Sequence, residues 1–255
     1  MSREGPGRVR LDRLLVERGL ADSRTRAEAL ILAGRVRIPG RERLKPGTVV
    51  PEGAELSVTE PEHPWVSRGG VKLAAALSAF GIDPSGLVCL DVGASTGGFT
   101  DVLLSRGAAK VYAVDVGFGQ LHARLRGDPR VVLRERVNAR YLSAAEVGEP
   151  VGLAVCDVSF ISATLVLPAV VPLLAPGARV VVLVKPQFEA RRGEVGRGGI
   201  VRDPAVRERA RERVVAAGVS LGLSPLGVVD SPIAGADGNL EALAGFARNP
   251  ATLDG

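Results

Sequence analysis

Cysteine is nearly absent from this 255-residue chain, with only Cys89 and Cys156 present. Each lies inside an apolar run that reads as a buried strand, where a reduced thiol behaves as a small hydrophobe, so a disulfide framework is excluded. Histidine is equally scarce. His63 and His122 stand far apart without cysteine partners, so no metal site of ordinary spacing assembles from them and no structural zinc is expected. Aromatic residues make up 4% of the chain, which leaves no basic amphipathic helix with aromatic anchors for a membrane surface. No apolar run approaches the ~20 residues needed to cross a bilayer. The N-terminal Met-Ser-Arg-Glu-Gly-Pro-Gly-Arg lacks the apolar core of a signal peptide, and a cytoplasmic protein without membrane association is expected.

What is present describes a packed globular protein, 46% hydrophobic and 24% charged. The length suits one full α/β domain plus a small appendage. Lysine and arginine total 33 against 28 acids, an excess that permits a polyanionic partner without demanding one. Its distribution says more: eleven arginines fall between Arg3 and Arg43, so the basic piece is the N-terminal one.

From Val9 the leucines of Val-Arg-Leu-Asp-Arg-Leu-Leu recur at helical spacing, and Gly19 stands where a glycine closes a helix. Asp22 or Ser23 is placed to cap a second helix, Arg24 to Ala33, that stops at Gly34. Val36 and Ile38 then alternate with arginines, a Pro39-Gly40 turn follows, and Thr48 to Val50 and Glu55 to Val58 read as short strands. The result is a small α+β unit over residues 1–60. A charged, proline-bearing linker covers 61–66, and the large domain runs over 67–255. There, strand-like runs at Leu87–Ala94, Val111–Val116, Val131–Leu133, Val151–Cys156, Val180–Val184 and Leu226–Val229 alternate with helical ones. That rhythm predicts a Rossmann-like parallel sheet wrapped by helices, whose ligands bind beyond the carboxyl ends of the strands.

The strand ends carry the chemistry. The first closes in Asp91-Val-Gly-Ala-Ser-Thr-Gly-Gly-Phe-Thr, a glycine-rich loop into a helix at Thr100 to Ser105. Through Gly93, Ala94, Ser95, Thr96, Gly97, Gly98 and Phe99 the backbone approaches a ligand closely. The loop lacks both the Walker lysine and the dinucleotide G-x-G-x-x-G spacing. Asp91 is placed to meet a cationic group, such as the methionine ammonium of S-adenosylmethionine. Asp115 closes the second strand, where an acid accepts from a ribose diol, a feature shared by methyl donors and nicotinamide cofactors. Asp157 ends the fourth strand at the topological switch point and Lys185 the fifth, so an aspartate and a lysine face one cleft.

Two resemblances extend this reading. Arg10-Leu-Asp-Arg-Leu-Leu, Gly19-Leu, Ser23-Arg-Thr-Arg-Ala, Ile31-Leu-Ala-Gly-Arg-Val-Arg-Ile and the Gly40 turn resemble the S-four-like RNA-binding domain across Val9 to Thr59. The resemblance implies that the second helix and following strand face RNA through Arg24, Arg26, Arg35 and Arg37. Arg10 and Arg13, with Arg68 in the Ser67-Arg-Gly-Gly turn, join them as candidates. Across nearly the whole chain, Ser67-Arg-Gly-Gly-Val-Lys72-Leu, the Asp91 loop, Asp157-Val-Ser-Phe-Ile-Ser, Lys185-Pro-Gln-Phe-Glu and Gly235-Ala-Asp-Gly-Asn-Leu-Glu241 resemble the TlyA family. That family joins such an RNA-binding domain to an FtsJ-like class I methyltransferase domain. The resemblance implies methylation of cytidine 2′-hydroxyls in 16S and/or 23S rRNA within ribosomal subunits, with S-adenosylmethionine as cofactor. It implies a tetrad of Lys72, Asp157, Lys185 and Glu241, and no metal. The oligomeric state is left open.

In such a tetrad the sulfonium methyl is already electrophilic, so positioning and deprotonating the ribose hydroxyl are the work left to the protein. Lys185 is the expected base: burial and the charge of Lys72 favour its neutral amine, while Asp157, also beside the cofactor, opposes that shift, orients the ammonium and shields the two cations from each other. Glu241 fixes the second lysine or the ribose. After Glu241 the run Ala-Leu-Ala-Gly-Phe-Ala-Arg replaces the aromatic pair expected there, which suggests a curtailed last element.

Rival chemistries fit less well. Base C5-methylation uses a cysteine nucleophile, usually beside proline, and amino methylation an Asn/Asp-Pro-Pro-aromatic run, where this chain has Cys156-Asp157-Val-Ser-Phe. Members of the resembled family are often labelled haemolysins, yet no membrane-active segment supports that label. A catalytically silent ribosome-assembly factor is opposed by the intact tetrad alone.

Overall fold

The structure, a computed structural model, describes residues 7–21, 23–32, 35–41, 44–59, 63–191, 193–235 and 238–249, without the side chains of Arg26, Ala29 and Leu32. The expected cap Asp22, the stop at Gly34, residue 60 and the linker residues 61 and 62, and the guanidinium of Arg26 lie outside the described residues. The chain divides into two units, Met1–Pro64 and Trp65–Gly255.

The first unit contains β1 (Arg8–Arg10), α1 (Leu11–Glu17), α2 (Arg24–Leu32), β2 (Val36–Arg37), β3 (Val49–Pro51) and β4 (Ser57–Val58). β1 pairs antiparallel with β3, and β2 with β4. The leucine spacing read from the sequence puts Leu11, Leu14 and Leu15 on one helical face, buried with Ala27, Ile31, Val36 and Val50.

The second unit contains α3 (Gly69–Ala79), β5 (Val88–Val92), α4 (Gly98–Ser105), β6 (Lys110–Val114), α5 (Ala123–Arg126), β7 (Val131–Arg134), α6 (Ala144–Val147), β8 (Val151–Cys156), α7 (Leu167–Val170), β9 (Leu174–Val184), α8 (Pro186–Glu189), α9 (Pro204–Ser220), β10 (Leu223–Asp230) and β11 (Ala242–Arg248). Its seven-stranded sheet has the order β10-β11-β9-β8-β5-β6-β7. The strands from β9 to β7 run parallel, while β11 and β10 complete the edge antiparallel. Helices cover both faces: α7 and α9 bury Val170, Ala210 and Val214 on one. On the other, α3 and α4 bury Leu73, Leu77 and Leu103. Continuous apolar runs such as 180–184 are what a strand buried on both faces requires.

One expectation is corrected here. The run after Glu241 is a full seven-residue strand, β11, paired from Ala242 opposite Val184 to Ala247 opposite Arg179. Its small residues are matched to neighbours. A side chain at Gly245 would meet the Phe80 ring at 2.8 Å, and Phe246 is fully buried against Gly218. The aromatic bulk missing from the strand is supplied across it by Phe80, and the element is not curtailed.

Candidate active site

The sheet order explains why distant residues meet. β5 leads to β6 on one side while β8 and β9 lie on the other, so the switch point falls between β5 and β8. Asp157 follows β8 and Lys185 follows β9, and both sit at that carboxyl edge. β11 runs the opposite way, so its first residues lie beside the end of β9, bringing Glu241 to the same edge. Lys72 arrives from the first turn of α3.

The tetrad forms two ion pairs. Lys72 Nζ donates to Glu241 Oε2 at 2.5 Å, with side chains only 9% and 3% exposed. Lys185 Nζ lies 2.6 Å from Asp157 Oδ1 and donates to Ser159 Oγ at 2.8 Å. All four residues line one cleft of about 620 Å³, together with Arg68, Gly93, Ala94, Ser95, Thr96, Gly98 and Phe99. A second cleft of about 500 Å³ is lined by Asp115 and shares Gly93, Ser95, Asp157, Ser159 and Phe160 with the first. Asp91 and Gly97 line neither.

Close approach explains the glycine loop. Gly93 has φ +86°, and a Cβ there would stand 2.3 Å from the Asp157 carbonyl, so only the missing side chain lets the loop after β5 pass this close to the turn after β8. At Gly98 a Cβ would stand 2.2 Å from Ser67 Oγ, and its absence lets the segment before α3 lie on the start of α4.

The electrostatics suit S-adenosylmethionine. Asp115 accepts from the amides of Ser95 at 2.8 Å and Gly117 at 2.7 Å, which aims its carboxylate while leaving lone pairs for a ribose diol. Beneath the loop Asp91 is fully buried. Its Oδ2 accepts from Thr100 Oγ1 at 2.6 Å, and its Oδ1 has no partner. Burial pushes the Asp91 carboxyl up to about 7, opposed by the Thr100 hydrogen bond and reinforced by the charge of Asp157. An orphaned carboxyl oxygen below an open glycine loop fits a ligand bringing an ammonium nearby, directly or through water. Cys156 is 2% exposed, and burial pushes its thiol up to about 12, far from the thiolate that base methylation needs.

Three residues missed in the sequence stand at the cleft: Ser159, Phe160 and Phe188. Phe160 is 93% exposed at φ +64°, and its ring centroid lies 5.5 Å from that of Phe188. A bulky residue held left-handed with its ring in solvent is costly unless used. The clue was available, since two of the chain's six phenylalanines follow Asp157 and Lys185 at equal distance.

Of the expected RNA-contact arginines of the first unit, Arg10, Arg13, Arg24 and Arg37 are exposed, Arg35 is half-buried, and several are oriented. Arg10 and Arg24 both donate to Asp12, at 2.8 and 2.9 Å, while Arg13 donates to Glu17 at 2.6 Å. Arg37 is exposed in β2, and the Arg35 carbonyl accepts from the Thr59 amide at 2.9 Å. Among the described residues no group of three or more His, Cys, Asp or Glu could hold a metal ion, and no helix is long and apolar enough to cross a membrane.

Similarity to known proteins spans both units. The FtsJ-like methyltransferase family matches residues 65–248 and the S4 domain residues 9–56. The 16S/23S rRNA (cytidine-2'-O)-methyltransferase TlyA of Mycobacterium tuberculosis is 53% identical over 235 residues, covering 92% of this chain and 88% of its own length. A solved structure from Streptococcus thermophilus, named as a hemolysin, is 42% identical with a TM-score of 0.74, over 96% of this chain and 90% of that one. The N-methyltransferase NodS of Bradyrhizobium japonicum, 17% identical with a TM-score of 0.51 over 72% of this chain and 98% of its own, shares the fold alone. The chain therefore belongs to the TlyA family, in which an FtsJ-like, S-adenosylmethionine-dependent methyltransferase domain follows an S4 domain.

Proposed function

We propose that this protein methylates the 2′-hydroxyl of a cytidine in 16S rRNA, 23S rRNA or both, acting on ribosomal subunits in the cytoplasm. Residues 1–60 grip RNA and residues 67–255 carry out the transfer. The observation that carries the reading is the pair of ion pairs, Lys185–Asp157 and Lys72–Glu241, on one cleft beside the glycine loop. S-adenosylmethionine, when bound, supplies a sulfonium methyl that needs no further activation.

Lys185 acts from its neutral amine, after its ammonium proton has passed to solvent: Nζ then takes the proton from the ribose hydroxyl and returns to the ammonium that Asp157 and Ser159 hold toward the cleft. Lys72, neutralised by Glu241, supplies hydrogen-bond donors to the ribose without adding net charge. Asp115 would hold the cofactor ribose, and the backbone of residues 93–96 and Gly98 would hold its methionine part. The exposed Phe160 ring offers the nucleotide base a face to stack on.

The test is transfer of label from S-adenosylmethionine to unmodified 16S and 23S rRNA in assembled subunits, comparing the protein with its Lys185→Ala variant. Label on a cytidine 2′-oxygen that falls by about 10²–10⁴-fold in the variant is expected for a general base. Cofactor binding without label on either subunit would leave a silent assembly factor in its place.

A further inference from the structure

The Lys185–Asp157 pair spans two turns that follow buried strands, and side chains on turns hold position only when something pins the turn. Residues 157–162 form the turn after β8. Its start is fixed by the Asp157 amide, which donates to the Val92 carbonyl at 2.9 Å. Its far end is fixed by a side chain from the other turn. Glu189, the last residue of α8, accepts from the Ala163 amide at 2.7 Å through Oε1 and from the Ser162 hydroxyl at 2.5 Å through Oε2. Glu189 is 4% exposed, and burial pushes its carboxyl upward while these hydrogen bonds oppose the shift. Its carbonyl in turn accepts from Arg213 Nη1 at 3.0 Å, so α9 steadies the second turn. Between the two pins lies Ser159, the hydrogen-bond partner of Lys185.

We propose that Glu189 is a positioning residue for methyl transfer, a latch tying the Asp157 turn to the Lys185 turn so that Asp157 and Ser159 stay in register with Lys185 Nζ. The proposal rests on Lys185 acting at the reaction centre. A carboxylate serves because one rigid group accepts from a backbone amide and a hydroxyl together. One helical turn after Lys185, its side chain comes back toward the strand ends. Glutamine keeps the reach and one acceptor oxygen, and its amide nitrogen can donate to the Ser162 hydroxyl, so it preserves the latch. Alanine removes it. Ser162 also caps the helical turn Ala163–Leu165, so its loss lowers stability as well and the rate must be read per folded, cofactor-loaded molecule.

The full chain is tested on unmodified ribosomal subunits with labelled S-adenosylmethionine, as wild type, Lys185→Ala, Glu189→Ala, Glu189→Gln and Ser162→Ala. Single-turnover rate, RNA half-saturation, cofactor dissociation constant and melting temperature are measured for each. Expected is a fall in rate of about 10²-fold for Glu189→Ala and about tenfold for Ser162→Ala, with both binding constants within about twofold of wild type, because a small misplacement costs rate before it costs affinity. Glu189→Gln recovers most of the rate. A purely structural carboxylate would lower the melting temperature and leave turnover per loaded molecule at the wild-type value, and that result overturns the latch. If Glu189→Ala does not fold, Ser162→Ala, which keeps the Ala163 bond, decides by the same criterion. A wild type that binds cofactor yet transfers no label defeats ribose methylation and this proposal together, whereas active wild type with indifferent Ser162 and Glu189 variants defeats the latch alone.

Discussion

Glu241 meets Lys72 across 169 residues of chain, with 2.5 Å between carboxylate and ammonium and little water access to either. Such a pair contributes little net stability, yet breaking it strands a charge. Glu241→Gln is therefore expected to destabilise the second unit by about 3–5 kcal/mol and to abolish methyl transfer. The double variant Lys72→Met, Glu241→Leu should regain most of the melting temperature and none of the activity. A double variant as unstable as the single one would mean that the pair contributes more than it costs.

Gly93 offers a sharper test of the loop. Gly93→Ala adds a methyl group 2.3 Å from the Asp157 carbonyl, at a φ of +86° that alanine disfavours. The neighbour is backbone, so relief requires β5 and β8 to separate. Cofactor affinity measured by calorimetry should fall at least about tenfold, together with a drop in melting temperature. Gly53→Ala in the first unit, with nothing near its Cβ, serves as the control and should change neither.

Much of this site is legible because strand ends are legible. Asp91, Asp115, Asp157 and Lys185 each follow an apolar run, and a parallel sheet brings the ends of such runs together. Glu241 is different. It precedes its strand, so only the antiparallel direction of β11 brings it to that edge, and a run of alanine and glycine gives little warning of a central strand. Phe80 filling the space above Gly245 is a tertiary fact with no local signature. The Asp12 contacts escaped for a similar reason, since Arg24 belongs to another helix.

Asp91 makes the second unit pH-sensitive in a defined direction. Its carboxyl is raised from an ordinary 3.8 to about 7 in the folded chain, so the fold binds that proton more tightly than the unfolded chain does. Its contribution is fully present below the ordinary value and is lost as pH rises through about 7. Urea midpoints of the second unit should fall across that window in the wild type and fall less in Asp91→Asn. Parallel profiles would show that the buried oxygen is satisfied in the folded protein by a group that keeps it ionised.

Asp12 carries the opposite sign. Its buried carboxylate accepts from Arg10 at 2.8 and 3.1 Å, from Arg24 at 2.9 Å and from the Arg13 amide at 2.9 Å. The hydrogen bond from Arg10 is the largest influence, and with Arg24 it holds the carboxyl well below the usual carboxylate range against the cost of burial. A depressed value contributes stability above the ordinary 3.8 that is lost as pH falls through the folded value, so the first unit should lose stability on acidification and Asp12→Asn should flatten that loss. The same carboxylate fixes two arginines expected at phosphates. Asp12→Asn should weaken rRNA binding alike for all sequences and by the same factor at every salt concentration, because the slope counts phosphates neutralised and both arginines are kept. Two guanidiniums released to solvent must be ordered again on binding. Unchanged affinity of the variant across a salt titration would remove Arg10 and Arg24 from the RNA interface and leave Asp12 a role in folding alone.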